Sequence, residues 1–263
     1  MDTNPSLQTI PQQEIAWETS RFGKKLAFCN RKGLENRPTL VFLPGYRSDM
    51  TGSKAEFLDE WAIRTKTPYL RLDYSGHGKS EGQFEDGTIG EWSGDALEII
   101  DRQTRGPIVL VGSSMGGWIG LLVAIARPQR VKAFVGISAA PDFTKWVWDN
   151  HLTEEQKTRC LKEGRLEEKS PYSDEPDLMT LRLFEDGKTH LVLENPIPFD
   201  GPVVLLQGKM DREVPWTLSR TIAARLKEGQ TRFVDIDDGE HRLSRPEDLA
   251  CLEREINALY DRL

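Results

Sequence analysis

The chain has 263 residues, 38% hydrophobic and 29% charged, which suits one large α/β domain with a full core. Its formal net charge of −7 argues against a nucleic-acid partner, whose phosphates demand Lys/Arg stripes. Three cysteines, Cys29, Cys160 and Cys251, are far apart and odd in number, so they form neither a metal spacing nor a disulfide framework. They fit a reducing compartment. The opening Met1-Asp2-Thr3-Asn4-Pro5 shows neither the basic nor the apolar region of a secretory signal. The expected location is cytoplasmic, or mitochondrial if the source is eukaryotic and a transit segment lies outside this sequence.

Residues 1–13 are polar and proline-punctuated, a loose lead-in. Residues 14–20 and 25–30, joined by Arg21-Phe22-Gly23-Lys24, read as an opening hairpin. A short apolar strand over 39–43 is broken by Pro44-Gly45. Ser53-Lys54-Ala55-Glu56 has the spacing of a capping box and starts a helix through Arg64. A strand over 68–73 follows. Thr88-Ile89-Gly90-Glu91 is a second box, opening a helix with Trp92, Ala96, Ile99 and Ile100 on its apolar side. Residues 106–126 carry no charge, but five glycines and two serines among them favour a strand, a sharp turn and a buried helix (115–126) over a membrane span. Further strands are expected over 131–138, 203–206 and 233–236, and Ser244–Glu247 caps a last helix ending near Tyr260.

Strands that alternate with helices and are themselves almost continuously apolar predict a mostly parallel sheet covered on both faces. The alternation fails once, over residues 141–199. That stretch holds a third capping box, Thr153-Glu154-Glu155-Gln156, a helix stopped at Gly164, and the loop Ser170-Pro171-Tyr172-Ser173-Asp174-Glu175-Pro176. So long a segment between two sheet strands is an insertion over the strand ends, where ligands of open α/β sheets bind. It is expected to be a lid. The chain then divides into a core of residues 14–140 and 200–263, a lid of residues 141–199 and the lead-in. The lid carries 13 acidic and 8 basic residues. A solvated outer face explains that excess, and a lid that repels polyanionic substrates is the sharper alternative.

The chemistry centres on Gly112-Ser113-Ser114-Met115-Gly116, directly behind the apolar run Ile108–Val111. A G-x-S-x-G at the junction of a strand and a helix is the pattern of a nucleophile elbow, with glycines where side chains would clash. Ser114 is the candidate nucleophile. Ser113 is not, because Val111 and Met115 flank it. A serine hydroxyl needs a base, normally a histidine oriented by a carboxylate, and on this architecture the chain order is Ser, acid, His. His151, His190 and His241 follow Ser114. The first two lie in the lid, whereas His241 sits on a loop just past the last strand and is the candidate base. Asp211, past the strand 203–206, is the candidate acid, with Glu213 as a weaker choice. Asp238 and Glu240 are close to His241 but share its tight loop, where turn hydrogen bonds suit them better. The oxyanion donors are expected to be the backbone N–H groups of Met115 and Tyr46. The glycine-rich loop Asp73–Ser80 lacks both phosphate-binding spacings and reads as scaffold. His77 within it precedes Ser114 and falls outside the triad order.

Elbow, acid, base, the 73–80 loop and the insertion together resemble the α/β-hydrolase fold over roughly residues 14–262. The stretches Phe42-Leu43-Pro44-Gly45-Tyr46, Asp73-Tyr74-Ser75-Gly76, Val111–Trp118 and Val214-Pro215-Trp216 resemble one subgroup of it, mitochondrial palmitoyl-protein thioesterases that also act as acyl-glucuronide esterases. The sequence departs from lipases with a His-Gly-Gly-Gly oxyanion loop, since it has Pro44-Gly45 there. The resemblance implies a serine hydrolase of carboxylic esters or thioesters, acting on a small acyl ester or an S-acylated protein or peptide. It implies no metal and no organic cofactor; the acidic charge balance speaks against a nucleic-acid partner and the glycines of 106–126 against a transmembrane segment. Trp118 and Trp216, within the matching stretches, and Trp148 of the lid are expected to bind substrate. A peptidase or C–C bond hydrolase on the same fold is the alternative enzyme. A ligand sensor without catalysis is disfavoured by an intact Ser–Asp–His set, and a dehalogenase by serine at position 114.

Overall fold

The apolar runs of the sequence lie side by side. In the computed structural model, which describes residues 13–168 and 177–263, strands β1 (Ala16–Thr19), β2 (Lys25–Arg31), β3 (Thr39–Leu43), β4 (Tyr69–Leu72), β5 (Ile108–Ser113), β6 (Val131–Ile137), β9 (Val203–Gly208) and β10 (Thr231–Ile236) form one sheet. Their order is β1-β2-β4-β3-β5-β6-β9-β10. β1 and β2 pair antiparallel, as does β2 with β4, and every other pair is parallel. The mostly parallel sheet expected from the sequence is therefore present. The lead-in falls almost wholly on residues 1–12, outside the described residues.

Strand side chains alternate between faces, and each face has its own helices. Leu40 and Phe42 of β3 pack with Trp61 of α1 (Ser53–Thr65) and Leu252, Ile256 and Tyr260 of α8 (Pro246–Tyr260). Val41 and Leu43 pack on the opposite face with Trp92 and Ile99 of α2 (Ile89–Gln103) and Trp118 of α3 (Met115–Ala126). The central strands are buried on both sides, which is why they read as continuous apolar runs rather than alternating ones. The uncharged stretch over 106–126 becomes β5, the turn and α3. No helix among the described residues is long and apolar enough to cross a membrane.

Two capping expectations need correction. The helix expected to be capped by Ser53 begins at that residue, with Gly52 at the cap and no side-chain bond there. The last helix is capped not by Ser244 but by Arg245, whose N–H donates to Asp248 Oδ2 at 3.1 Å, with Pro246 opening the helix. Ser244 Oγ instead donates to the Arg242 carbonyl. Thr88 does cap α2, accepting from Glu91 N–H at 3.1 Å, but the Glu91 carboxylate pairs with Lys24. The Thr153–Gln156 box forms in full.

Between β6 and β9, neighbours in the sheet, residues 141–199 form α4 (Phe143–Asn150), α5 (Glu154–Glu163), the antiparallel pair β7 (Arg165–Glu168) and β8 (Asp177–Thr180), and α6 (Leu181–Gly187). The loop expected over 170–176 lies outside the described residues. The sequence reading missed α4, α6, the β7–β8 pair and also α7 (Leu218–Ala224), all short elements with little periodicity of their own. Asp142 ties the insertion's two ends together. Its carboxylate accepts from the N–H groups of Val192 and Leu193, both at 2.9 Å. Burial, set against those two bonds, raises its pKa. The insertion also has its own small core, in which Cys160, Leu166 and Phe184 are buried against Val147, Trp148, Leu152 and Met179. Phe184→Ala should remove roughly 3–5 kcal/mol of packing from that cluster. Hydrogen exchange should accelerate in the described parts of 143–187 while β5 and β6 stay protected. Equal acceleration in the central strands would mean that the insertion shares one cooperative core with the sheet.

Candidate active site

Strand β5 ends at Ser113 and α3 begins at Met115, so the chain reverses at a single residue. Ser114 has φ +52° and ψ −118°, a conformation that costs a non-glycine residue about 1–3 kcal/mol. Three backbone bonds hold it. Its N–H donates to the Ile137 carbonyl at 2.9 Å, and its carbonyl accepts from Gly117 N–H at 2.8 Å and Ala140 N–H at 3.0 Å. The flanking glycines are required by space. A Cβ on Gly112 would stand 2.2 Å from the Gly116 carbonyl oxygen, and one on Gly116 would stand 2.0 Å from that of Leu43.

The loops after β9 and β10 carry the other two groups. They are laced together by Lys209 N–H to the Ile236 carbonyl and Met210 N–H to the Gly239 carbonyl, both at 2.9 Å. Asp211 and His241 thus meet although 30 residues separate them. His241 Nδ1 lies 2.9 Å from Asp211 Oδ2, and His241 Nε2 lies 3.1 Å from Ser114 Oγ. The Asp211 side chain is fully buried. Its Oδ1 accepts from the N–H groups of Glu213 and Val214, and its Oδ2 also accepts from Gln207 Nε2 at 3.0 Å. Burial pushes the Asp211 pKa up, but the His241 hydrogen bond and charge and the two backbone donors outweigh it, leaving the carboxyl below its ordinary value. An ionised carboxylate only accepts, so Nδ1 carries the ring proton and a neutral ring offers the Nε2 lone pair to the Ser114 hydroxyl. Glu213 Oε2 lies 3.7 Å from Nε2, on the serine side of the ring and not behind it.

The competing residues lie elsewhere or in other company. Asp238 pairs with Arg245 at 2.7 Å. His190 is 3.5 Å from Asp186. His151 lines the cleft above Ser114 with its ring 4.0 Å from that of Trp146. His77 is enclosed by Tyr74, Phe84 and Trp92, and burial lowers its pKa to about 4. The 73–80 loop acts as a brace. Asp73 accepts from Met50 N–H at 2.7 Å and Lys79 N–H at 2.8 Å, linking this loop to the one that carries Tyr46, and burial raises its pKa to about 6.

Tyr46 and Met115 both line the cleft that opens over Ser114. The Tyr46 hydroxyl donates to the Leu178 carbonyl of the insertion, and its ring packs on Phe84, Trp92 and Phe143. Gly45 brings the backbone beside the serine, for a Cβ there would lie 3.3 Å from Ser114 Cβ. None of the three tryptophans expected to bind substrate lines this cleft. Trp118 is fully buried beneath it, with Nε1 donating to the His190 carbonyl at 3.0 Å. Trp148 packs on Phe184 inside the insertion. Trp216 is 40% exposed, under the Arg220 guanidinium. Helix periodicity on α4 carried the missing signal. Phe143, Trp146 and Val147 share one face at i, i+3, i+4 and line the cleft, whereas Trp148 leaves from another side.

The cleft holds about 860 Å³. Trp146, Val147, Leu152, Leu166 and Met179 of the insertion give it apolar lining, together with Phe42, Val214 and Leu218 of the core. Arg47, Lys54, Arg212, Arg242, Asp49 and Glu213 of the core also line it. Among its described residues, the insertion contributes no Asp or Glu to this lining. Among the described residues no group of three His, Cys, Asp or Glu side chains is placed to hold a metal ion.

Fold and site together are those of an α/β hydrolase, and the chain belongs to that family, whose model matches residues 40–250. It is similar to the human mitochondrial palmitoyl-protein thioesterase ABHD10, at 36% identity over 270 residues covering 98% of this chain and 87% of that protein. Among solved structures it resembles mouse α/β hydrolase domain-containing protein 10, with a TM-score of 0.87, 33% identity and 95% and 99% of the two chains covered. A putative hydrolase from Agrobacterium vitis S4 gives a TM-score of 0.89 at 36% identity, covering 95% of this chain and 98% of that one. The resemblance read from the motifs is thus supported by the family model, by sequence identity and by structure.

The close contact at the turn has a direct test. Gly116→Ala places a methyl group against the backbone of β3, which has no flexible side chain to move aside. Such overpacking costs about 1–3 kcal/mol or more, and in a domain of this size should lower Tm by roughly 2–4 °C per kcal/mol. Calorimetry showing an unchanged Tm would mean the turn has room for a side chain.

Proposed function

We propose that the protein hydrolyses carboxylic esters or thioesters through an acyl-enzyme on Ser114. The observation that carries this reading is the unbroken hydrogen-bonded line from Ser114 Oγ through the His241 ring to the buried Asp211 carboxylate. His241 Nε2 takes the hydroxyl proton as Ser114 attacks the acyl carbon. Asp211 keeps the other ring nitrogen protonated and steadies the imidazolium that forms. His241 then returns the proton to the leaving thiol or alcohol, and water, deprotonated by the same ring, releases the acid. Two donors are assigned to the oxyanion, the N–H of Met115 at the start of α3 and the N–H of Tyr46. The Met115 N–H has no partner within its helix, and the helix dipole favours negative charge there.

The thioesterase name of the human relative supports S-acylated proteins or peptides as substrates, and small acyl esters, acyl glucuronides among them, share the chemistry. The insertion acts as the lid, and its apolar lining suits the acyl chain. The mitochondrial name of that relative supports the mitochondrial alternative for a eukaryotic source, and three buried free cysteines suit a reducing compartment.

Ser114→Ala should lose nearly all turnover and all labelling by a fluorophosphonate. Asp211→Asn should lower kcat by about three to four orders of magnitude with KM little changed, since the wrong tautomer is then held. Steady-state kinetics with labelling reads both. Labelling that survives Ser114→Ala, or a normal kcat in Asp211→Asn, would overturn the assignment.

Acyl preference should follow the cleft lining. Each methylene buried is worth about 0.8 kcal/mol, close to fourfold in kcat/KM, until the apolar part is full. A chain-length series on one leaving group should favour medium or long acyl groups over acetyl. Trp146→Ala should shift that optimum and Trp148→Ala should not, although the latter lowers stability. A series with acetyl best, unchanged in Trp146→Ala, would sever the lid from acyl recognition.

A further inference from the structure

Lys54 stands in the first turn of α1, yet its ammonium reaches into the loop that carries His241. Its Nζ donates to the carbonyl of Arg242, the residue after His241, and to Ser244 Oγ at 3.2 Å. Ser244 Oγ in turn donates to the same Arg242 carbonyl at 3.0 Å. Between these two acceptors stands Leu243, with φ +41°. A leucine rarely adopts that backbone conformation, and it persists only where neighbouring contacts over-determine it. Two sets of contacts do so. The Leu243 side chain is buried in the core between the sheet, α1 and α8, and the lysine holds the Arg242 carbonyl on one side and the Ser244 hydroxyl on the other. An ammonium in this place is unfavourable for itself. Burial, followed by repulsion from Arg242, lowers its pKa to about 8, with Asp248 of α8 opposing.

We propose that Lys54 is a positioning residue for the hydrolysis, closing the 242–244 backbone so that the His241 ring stays between Asp211 and Ser114. The proposal rests on the reading of His241 as the base. Lys54 also borders the cleft, but both of its hydrogen bonds go to the loop and make it a clamp. A neutral amine is a weaker donor than an ammonium, so the clamp loosens as pH rises through about 8. Arg242 and Asp248 are the charged groups that act on it most closely, and Arg47, Asp49, Arg212, Glu213 and His241 line the same cleft.

The test compares Lys54→Met, Lys54→Arg and Ser244→Ala with the native protein on one short acyl ester. Lys54→Met should lower kcat about ten- to a hundredfold, the scale of a small misplacement of a catalytic group, with KM within about twofold. Lys54→Arg should restore most of the loss and abolish the decline in kcat that the native protein shows above about pH 8. Ser244→Ala, which leaves Lys54 one acceptor, should lower kcat severalfold at an unchanged Tm and serves if Lys54→Met fails to fold. The far-downfield NMR proton of His241 Nδ1–H gives a readout without turnover, and it should shift or broaden in Lys54→Met. A native kcat with an unmoved proton would overturn the proposal, as would a change confined to KM. A native protein that turns over no ester while this proton still responds to Lys54→Met would overturn the hydrolase reading and leave the positioning role standing.

Discussion

Everything at the site depends on one steric constraint, the passage of the elbow across the backbone of its neighbouring strand. Gly116 lies against the carbonyl of Leu43, and Gly112 against the carbonyl of Gly116, with no room for a β-carbon at either place. Only because both positions are glycine can β5 turn into α3 within one residue and hold Ser114 at φ +52°. That turn lifts the serine hydroxyl above the carboxyl ends of the parallel strands. The loops after β9 and β10 end at the same level, so Asp211 and His241 arrive from the side in the order the sheet dictates. The strain at Ser114 is held by three backbone hydrogen bonds to β6, to α3 and to the residues that follow β6.

Much of this was legible in the sequence. Buried parallel strands announce themselves as apolar runs, and the G-x-S-x-G spacing reports a steric requirement that few other turns share. The choice of Asp211 over Asp238 and Glu240 also followed from geometry, since a carboxylate on the histidine's own tight loop does not reach the far ring nitrogen. Asp238 instead holds Arg245. The substrate-facing residues were less legible. Tryptophan is large and apolar wherever it lies, so composition alone did not separate Trp118, buried in the core, from Trp146, which faces the cleft. The short elements α4, α6, α7 and the β7–β8 pair escaped because they draw their stability from tertiary packing. The cap of α8 was misplaced by one residue because Arg245 is an unusual capping residue, and its pairing with Asp248 is visible only in three dimensions.

The cleft combines two chemistries that the sequence kept apart. The insertion lines it with apolar side chains from α4, from Leu152 and from the β7–β8 pair, and also with His151 and Gln156. Its charged part comes from the core, through the loops after β3, β9 and β10 and the start of α1.

The central claim is covalent, so acid-quenched mass spectrometry of the intact protein during turnover of a p-nitrophenyl ester tests it most directly. The account requires a burst of about one equivalent of nitrophenol, and a mass increase equal to the acyl group that maps to the peptide containing Ser114. Steady hydrolysis with no burst, with no acylated protein under the same quench and with unaltered Ser114 peptide, would contradict it.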